Sequence, residues 1–190
     1  MGNREDLLTG ARQAILDRGL AKVTARDIAT AAGVSLAAIG YHFGSKDLLV
    51  MEALTDGVGT EIGDGIDKAI KDAGEGHSLW DSLAATWNGL VDVIQENQQS
   101  LLLSFENGVQ IARNPEAQIF MAEATGRARS DIAAALQGAH PDLTDKQATA
   151  VARLIFVMFQ GMATQSLIGP TADLMDGDDL VTAIRALRGK

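Results

Sequence analysis

Along the whole chain apolar residues recur three and four positions apart, and no run alternates with period two. Such spacing gathers apolar side chains on one side of a helix, whereas a half-buried strand needs strict alternation. An all-α fold is expected. Leu8, Ala11, Ile15 and Leu16 define a first helix that ends near Gly19. In Thr24-Ala25-Arg26-Asp27 the Thr24 hydroxyl can accept from the Asp27 amide while the Asp27 carboxylate reaches back, a capping box. It opens a short helix from Ala25 to Ala32, stopped by Gly33. Ser35 is placed to cap a third helix carrying Leu36, Ile39 and Phe43, which Gly44 ends. Ser45 is placed to cap a fourth, running from Lys46 to about Ala73.

The fourth helix contains Gly57, Gly59, Gly63 and Gly65, each costing roughly 1 kcal/mol relative to alanine in a helix interior. It should be soft. Gly57-Val58-Gly59-Thr60-Glu61-Ile62-Gly63 looks superficially like a dinucleotide loop, but the spacing is one residue too long and no strand precedes it. Further helices are expected from about Leu79 to Glu96, from about Ser100 to Arg113 and from Pro115 to Leu136, with Asn114 as the cap of the last. His140-Pro141-Asp142-Leu143 reads as a loop, and Thr144-Asp145-Lys146-Gln147 as a second capping box. The apolar segment Ala148 to Ile168 follows, terminated by Gly169-Pro170, and a last amphipathic helix spans about Leu174 to Arg188. Residues 150–169 have membrane-spanning length. Arg153, Gln160, Thr164, Gln165 and Ser166 interrupt them, so a helix buried on several sides, in the core or at a subunit interface, is expected and no membrane.

Cysteine is absent, which excludes disulfides, thiolate nucleophiles and cysteine metal sites. Met1-Gly2-Asn3-Arg4-Glu5-Asp6 lacks the apolar run of a signal peptide. A cytoplasmic location is expected. The net charge of -9 is unevenly spread: the first fifty residues carry 6 Lys/Arg against 5 Asp/Glu, the remainder 10 against 20. Only the N-terminal segment could tolerate a polyanion.

Ala29, Gly33 and Ile39 have the spacing of a helix-turn-helix: a small residue admits the neighbouring helix, a glycine permits the turn, and an apolar residue locks the third helix. The stretch Val23-Thr24-Ala25-Arg26-Asp27-Ile28-Ala29-Thr30-Ala31-Ala32-Gly33-Val34-Ser35, with Ile39-Gly40-Tyr41-His42-Phe43-Gly44-Ser45-Lys46-Asp47-Leu48-Leu49, closely resembles the TetR family of bacterial transcriptional regulators. The match is dense over about the first fifty residues; beyond them only the architecture is similar. The resemblance implies an N-terminal three-helix helix-turn-helix DNA-binding domain over residues 1–47 and a helical effector-binding and dimerisation domain over 48–190. It further implies a homodimeric repressor on a palindromic operator in double-stranded DNA, controlled by a small-molecule effector, with no cofactor and no metal.

On the third helix Ile39 and Phe43 lie four apart and face inward, while Tyr41 and His42 point elsewhere. By the resemblance Tyr41, His42 and Lys46 clamp the DNA backbone, their polar tips and charge meeting phosphate oxygens. Ser35, Leu36, Ala37, Ala38 and Gly40 would enter the major groove, and the DNA-binding set also takes in Thr24 and Arg26. Gly40 stands where the family more usually has an aromatic or large apolar residue, so specificity leans on close approach and DNA shape.

Trp80, Trp87, Phe105 and Phe159, with Asn107 and Gln110, are candidates for an apolar ligand pocket bearing a few polar groups, although each taken singly is more readily core. An enzyme is not expected. His42, His77 and His140 offer no pair with metal-ligand spacing, no serine sits in a nucleophile elbow, and His77 and His140 read as solvated loop residues. The remaining alternative is a helical protein-interaction module that carries a helix-turn-helix without using it; weak positive charge and Gly40 favour it.

Overall fold

The computed structural model describes residues 3–169 and 173–189, and among these it contains nine α-helices and no strand. The first four are α1 (Asn3–Arg18), α2 (Ala25–Ala32), α3 (Leu36–Phe43) and α4 (Lys46–Gly74). They are followed by α5 (Leu79–Glu96), α6 (Gln98–Ile111), α7 (Pro115–Ala139), α8 (Asp145–Ile168) and α9 (Gly177–Arg188). The caps explain most of these boundaries. Thr24 forms the full capping box with Asp27, and Gly33 ends α2 in the left-handed conformation, φ 65°, which a side chain rarely tolerates. Thr144 pairs with Gln147 in the same way at the head of α8. The Leu48 amide donates to the Ser45 hydroxyl at 3.1 Å. Ser35 occupies the cap position of α3 in extended geometry, but its hydroxyl makes no capping bond there, contrary to expectation. Helix α9 starts at Gly177 rather than Leu174, because Asp176 supplies the cap by accepting from the Asp179 amide. Pro170, expected to help terminate α8, lies outside the described residues.

The helices gather into two compact units that interleave along the chain: residues up to 60 with 102–124, and 61–101 with those from 125 onward. Helices α4, α6 and α7 each supply residues to both. In the first unit Leu7, Leu8, Ala11 and Ile15 of α1 pack with Ile28, Ala29, Ile39, Phe43, Leu49 and Ala53. Leu16, expected in that stripe, is 60% exposed, since at 100° per residue it lies opposite Leu7 on the helix. Gly10 lets α1 and α2 touch: a Cβ there would stand 2.6 Å from the Ala32 amide nitrogen.

The core of the second unit is built from Ile66, Ile70, Trp87, Leu90, Ile94, Leu136, Ala152, Ile155, Phe159 and Met162. His140 belongs to this interior at 2% exposure, with Nε2 3.4 Å from the Ser82 hydroxyl, and is not the solvated loop residue expected. The cause is that α7 continues to Ala139, beyond the expected stop at Leu136, and carries His140 inward. His77 is exposed as expected. Helix α8 is long and apolar enough to cross a membrane by length and composition, with 33% of its most apolar window buried. It buries one side (Ala148, Ala152, Ile155, Phe159, Met162) and exposes Leu154, Val157 and Ile168 on the other. Within this chain α8 is therefore buried on one side.

Candidate nucleic-acid interface

Helices α2 and α3 are each eight residues long, too short to persist alone in water. Packing holds them: Ile28, Ile39 and Phe43 are buried in the first unit, and the Val34 amide reaches the Ala29 carbonyl at 3.1 Å across the Gly33 turn. The outward side of α3 is thereby fixed as Ser35, Leu36, Ala37, Gly40 and Tyr41, all exposed. Tyr41 is 86% exposed. Its ring meets that of half-buried His42 edge-on at 4.9 Å. Ala38, expected among the groove residues, is buried against the core. It lies one position before Ile39, on the inward edge of the stripe, and offers no exposed contact. A Cβ at Gly40 would meet nothing within 4 Å, so the glycine leaves free surface rather than serving packing.

The Lys46 ammonium donates to the Val23 carbonyl at 3.4 Å and lies 3.4 Å from an Asp47 carboxylate oxygen. This bond brings Lys46 beside the Lys22-Val23-Thr24 turn. Thr24 is exposed, yet its hydroxyl is engaged with Asp27, donating to Oδ2 at 2.7 Å and accepting from the amide at 3.2 Å. Those bonds from the Thr24 hydroxyl and then its amide hold the Asp27 carboxyl below the ordinary aspartate value of 3.8, with Arg18 adding a smaller attraction. Arg18 is 3.5 Å from Asp27 and Arg4 is paired with Glu52. Among the described residues Arg12, Lys22 and Arg26 have no ion pair, so they are the least compensated positive charges of this unit. Lys22 was not singled out from sequence; its signal was an uncompensated cation two residues ahead of a cap.

The six pocket candidates do not come together within either unit. Trp87 is 2% exposed, donates from Nε1 to the Met175 carbonyl at 2.8 Å, and shares the core of the second unit with Phe159. Trp80 is partly exposed in an open hollow lined by Arg185 and Arg188, with the Arg185 guanidinium 5.7 Å from its ring centre. Phe105, Asn107 and Gln110 lie on α6 in the first unit; Asn107 is buried and the other two are exposed.

Two short helices joined at Gly33 and packed on α1, the second with an exposed side, followed by long helices, make a helix-turn-helix with a helical remainder. Residues 7–53 match the family described as bacterial regulatory proteins, tetR family. The match covers the N-terminal quarter of the chain, so residues 7–53 are similar to the DNA-binding domain of that family. It is 43% identical over 53 residues to the HTH-type transcriptional repressor KstR2 of Mycolicibacterium smegmatis, a stretch covering 28% of this chain and 26% of that repressor. Over nearly the whole length the fold is similar to a TetR-family transcriptional regulator from Rhodococcus sp., at TM-score 0.57 and 25% identity with 97% of each chain covered. It is also similar to the multidrug binding protein EbrR complexed with imidazole, at TM-score 0.65 and 19% identity over 96% of this chain and 94% of that one. These relatives are named as regulators or binding proteins.

Proposed function

We propose that this chain is a cytoplasmic transcriptional repressor that binds a palindromic operator in double-stranded DNA as a homodimer and responds to a small-molecule effector. The observation that carries the reading is the exposed surface of α3, Ser35, Leu36, Ala37, Gly40 and Tyr41, on a scaffold whose other face is packed. A helix presented this way fits a major groove, with small side chains permitting close approach. Tyr41, His42 and Lys46 supply backbone contacts, and Thr24 and Arg26 flank them at the start of α2. The domain assignment that goes with this reading is DNA binding in residues 1–47 and effector binding with dimerisation in 48–190.

Homodimerisation is supported by the outward side of α8, where Leu154, Val157 and Ile168 are exposed, and by Leu187 on α9, 88% exposed. Large apolar side chains exposed along one side of a helix are normally covered in an assembly. Effector control draws on the likeness to EbrR, whose complexes hold imidazole and proflavin. Of the two tryptophans, Trp80 has free surface for a ligand and Trp87 does not. Because α4 contributes to both units, a displacement of its far end would be felt at Lys46, beside the reading head.

Selection on random duplex DNA with the purified full chain tests the proposal. Enrichment of an inverted repeat, with half-sites about one helical turn or a multiple apart, is the expected outcome. Recovery of no preferred sequence, with equally weak binding to all duplexes, would favour the interaction-module reading.

A further inference from the structure

Arg4 stands in the first turn of α1, beside Glu5 and Asp6. A cation there opposes the helix dipole, which favours the two acids, so local chemistry does not account for the arginine. Its tertiary contacts do. The guanidinium is ion-paired with Glu52 of α4 and lies 5.1 Å from the centre of the Phe43 ring, the last residue of α3. The Glu52 side chain is 15% exposed, and Phe43 is buried. One cation therefore bridges α1, α4 and the C-terminal end of α3, lying over an aromatic ring while pairing with a carboxylate. Lysine cannot do both in this geometry. The Gly44 amide that closes α3, donating to the Gly40 carbonyl at 3.1 Å, follows directly after Phe43.

Building on the DNA-binding reading above, we infer that Arg4 is a positioning residue for DNA recognition: it ties the end of α3 to α4 at Glu52, rather than touching a phosphate itself. Its charge is already compensated by Glu52, which distinguishes it from Arg26 and Lys22. The tie also gives α4 a second hold on the reading head, independent of the Lys46 bond to Val23.

The two roles predict opposite signs for one substitution. If Arg4 positions α3, Glu52→Gln releases it and weakens operator binding, whereas if Arg4 meets phosphate, Glu52→Gln frees its charge, strengthens binding and steepens the salt dependence. Arg4→Lys, which can keep the ion pair or the ring contact but not both, should weaken binding about tenfold, with an unchanged slope of log affinity against log salt. A phosphate contact would instead survive as lysine. The second readout is amide exchange at Phe43 and Gly44 in the full chain. Both variants should speed it, while exchange at Ile28 and Leu49 stays at the wild-type rate. The inference fails if Glu52→Gln binds more tightly, or if both variants keep wild-type affinity and exchange. If the wild-type chain itself binds no DNA, the underlying functional reading fails and takes this one with it, an outcome distinct from loss in the variants alone.

Discussion

The first unit is held together by short helices, caps and turns, the second by long helices pressed closely against one another. Within residues 19–45 of the first unit the structure turns on Gly19, Gly33 and Gly44, all at positive φ, and on Thr24 and Ser45 as caps. The second unit relies on glycines as notches: a Cβ at Gly65 would meet Val93, at Gly74 Ala139 and His140, at Gly89 Ala69, and at Gly177 the backbone of Ala84. Local hydrogen-bond chemistry specifies a reading head with little freedom, which suits a surface that must match a groove. Notched packing specifies a core while leaving its outward faces free to vary.

The contrast is tested most severely at the outward side of α8. Val157 is 65% exposed and Phe156 packs partly against the core. Val157→Asp would place one uncompensated charge per protomer in a dimer contact and should weaken association on the order of 100-fold or more, leaving protomer folding close to wild type. Phe156→Asp should instead reduce stability. Sedimentation velocity across micromolar concentrations, with thermal unfolding, separates the two; a wild-type chain that sediments as a monomer removes the premise.

Next come the two glycines whose neighbours cannot yield. An alanine at Gly177 would come within 2.7 Å of the Ala84 carbonyl carbon, and one at Gly10 within 2.6 Å of the Ala32 nitrogen. Each contact is with backbone, so each substitution should cost about 2–3 kcal/mol through overpacking. The losses should stay apart. Gly10→Ala should raise amide exchange in α2 and α3, and Gly177→Ala in α9, around Leu180. If either variant loosens both units equally, they unfold as one cooperative body and the comparison collapses.

Gly59 and Gly63 sharpen the contrast differently, because a Cβ at either meets nothing within 4 Å. They are not notches. Their replacement by alanine should stabilise α4 by about 1 kcal/mol each, while changing the ratio of operator affinities with and without effector. A well-folded double variant with an unaltered ratio would show that stiffness of this stretch plays no part in the response.

What could be read from the chain follows the same division. The boundaries of α2, α3 and the start of α4 were legible because capping boxes and turn glycines act on residues three or four positions away. The His140 environment was not, since nothing near His140 announces Ser82 or Gly74, which reach it only through the packing of α5 and α4 against α7. The burial of Ala38 was not legible for a smaller reason: alanine carries no signal for which edge of a helical stripe it occupies. The pocket candidates suffered most. Aromatic residues suit both core and ligand surface, and only the fold separates Trp87 from Trp80.

The smallest predicted effect concerns the cap that opens α2. The Thr24 bonds lower the folded-state pKa of Asp27 below 3.8. In the unfolded chain that carboxyl takes its ordinary value, so between the two pKa values the unfolded state holds more protons and stability rises with pH. The contribution is therefore complete above about pH 4–5, declines as pH falls through the folded-state pKa, and is absent below it. Asp27→Asn removes the titration but keeps an oxygen that can accept from the Thr24 amide. At pH 7 this variant should show slightly weaker protection of the first-turn amides of α2 than the wild type, and the gap should narrow as pH falls below the ordinary aspartate value. Arg18, 3.5 Å from Asp27 and exposed, sets a control, since its attraction is screened by salt while the two hydrogen bonds are not. Raising the salt concentration should accordingly narrow the gap only in part. A gap that does not narrow as pH is lowered through and below the ordinary aspartate value would mean that the carboxylate charge does not support the cap, and that Thr24 holds the head of α2 through its hydroxyl alone.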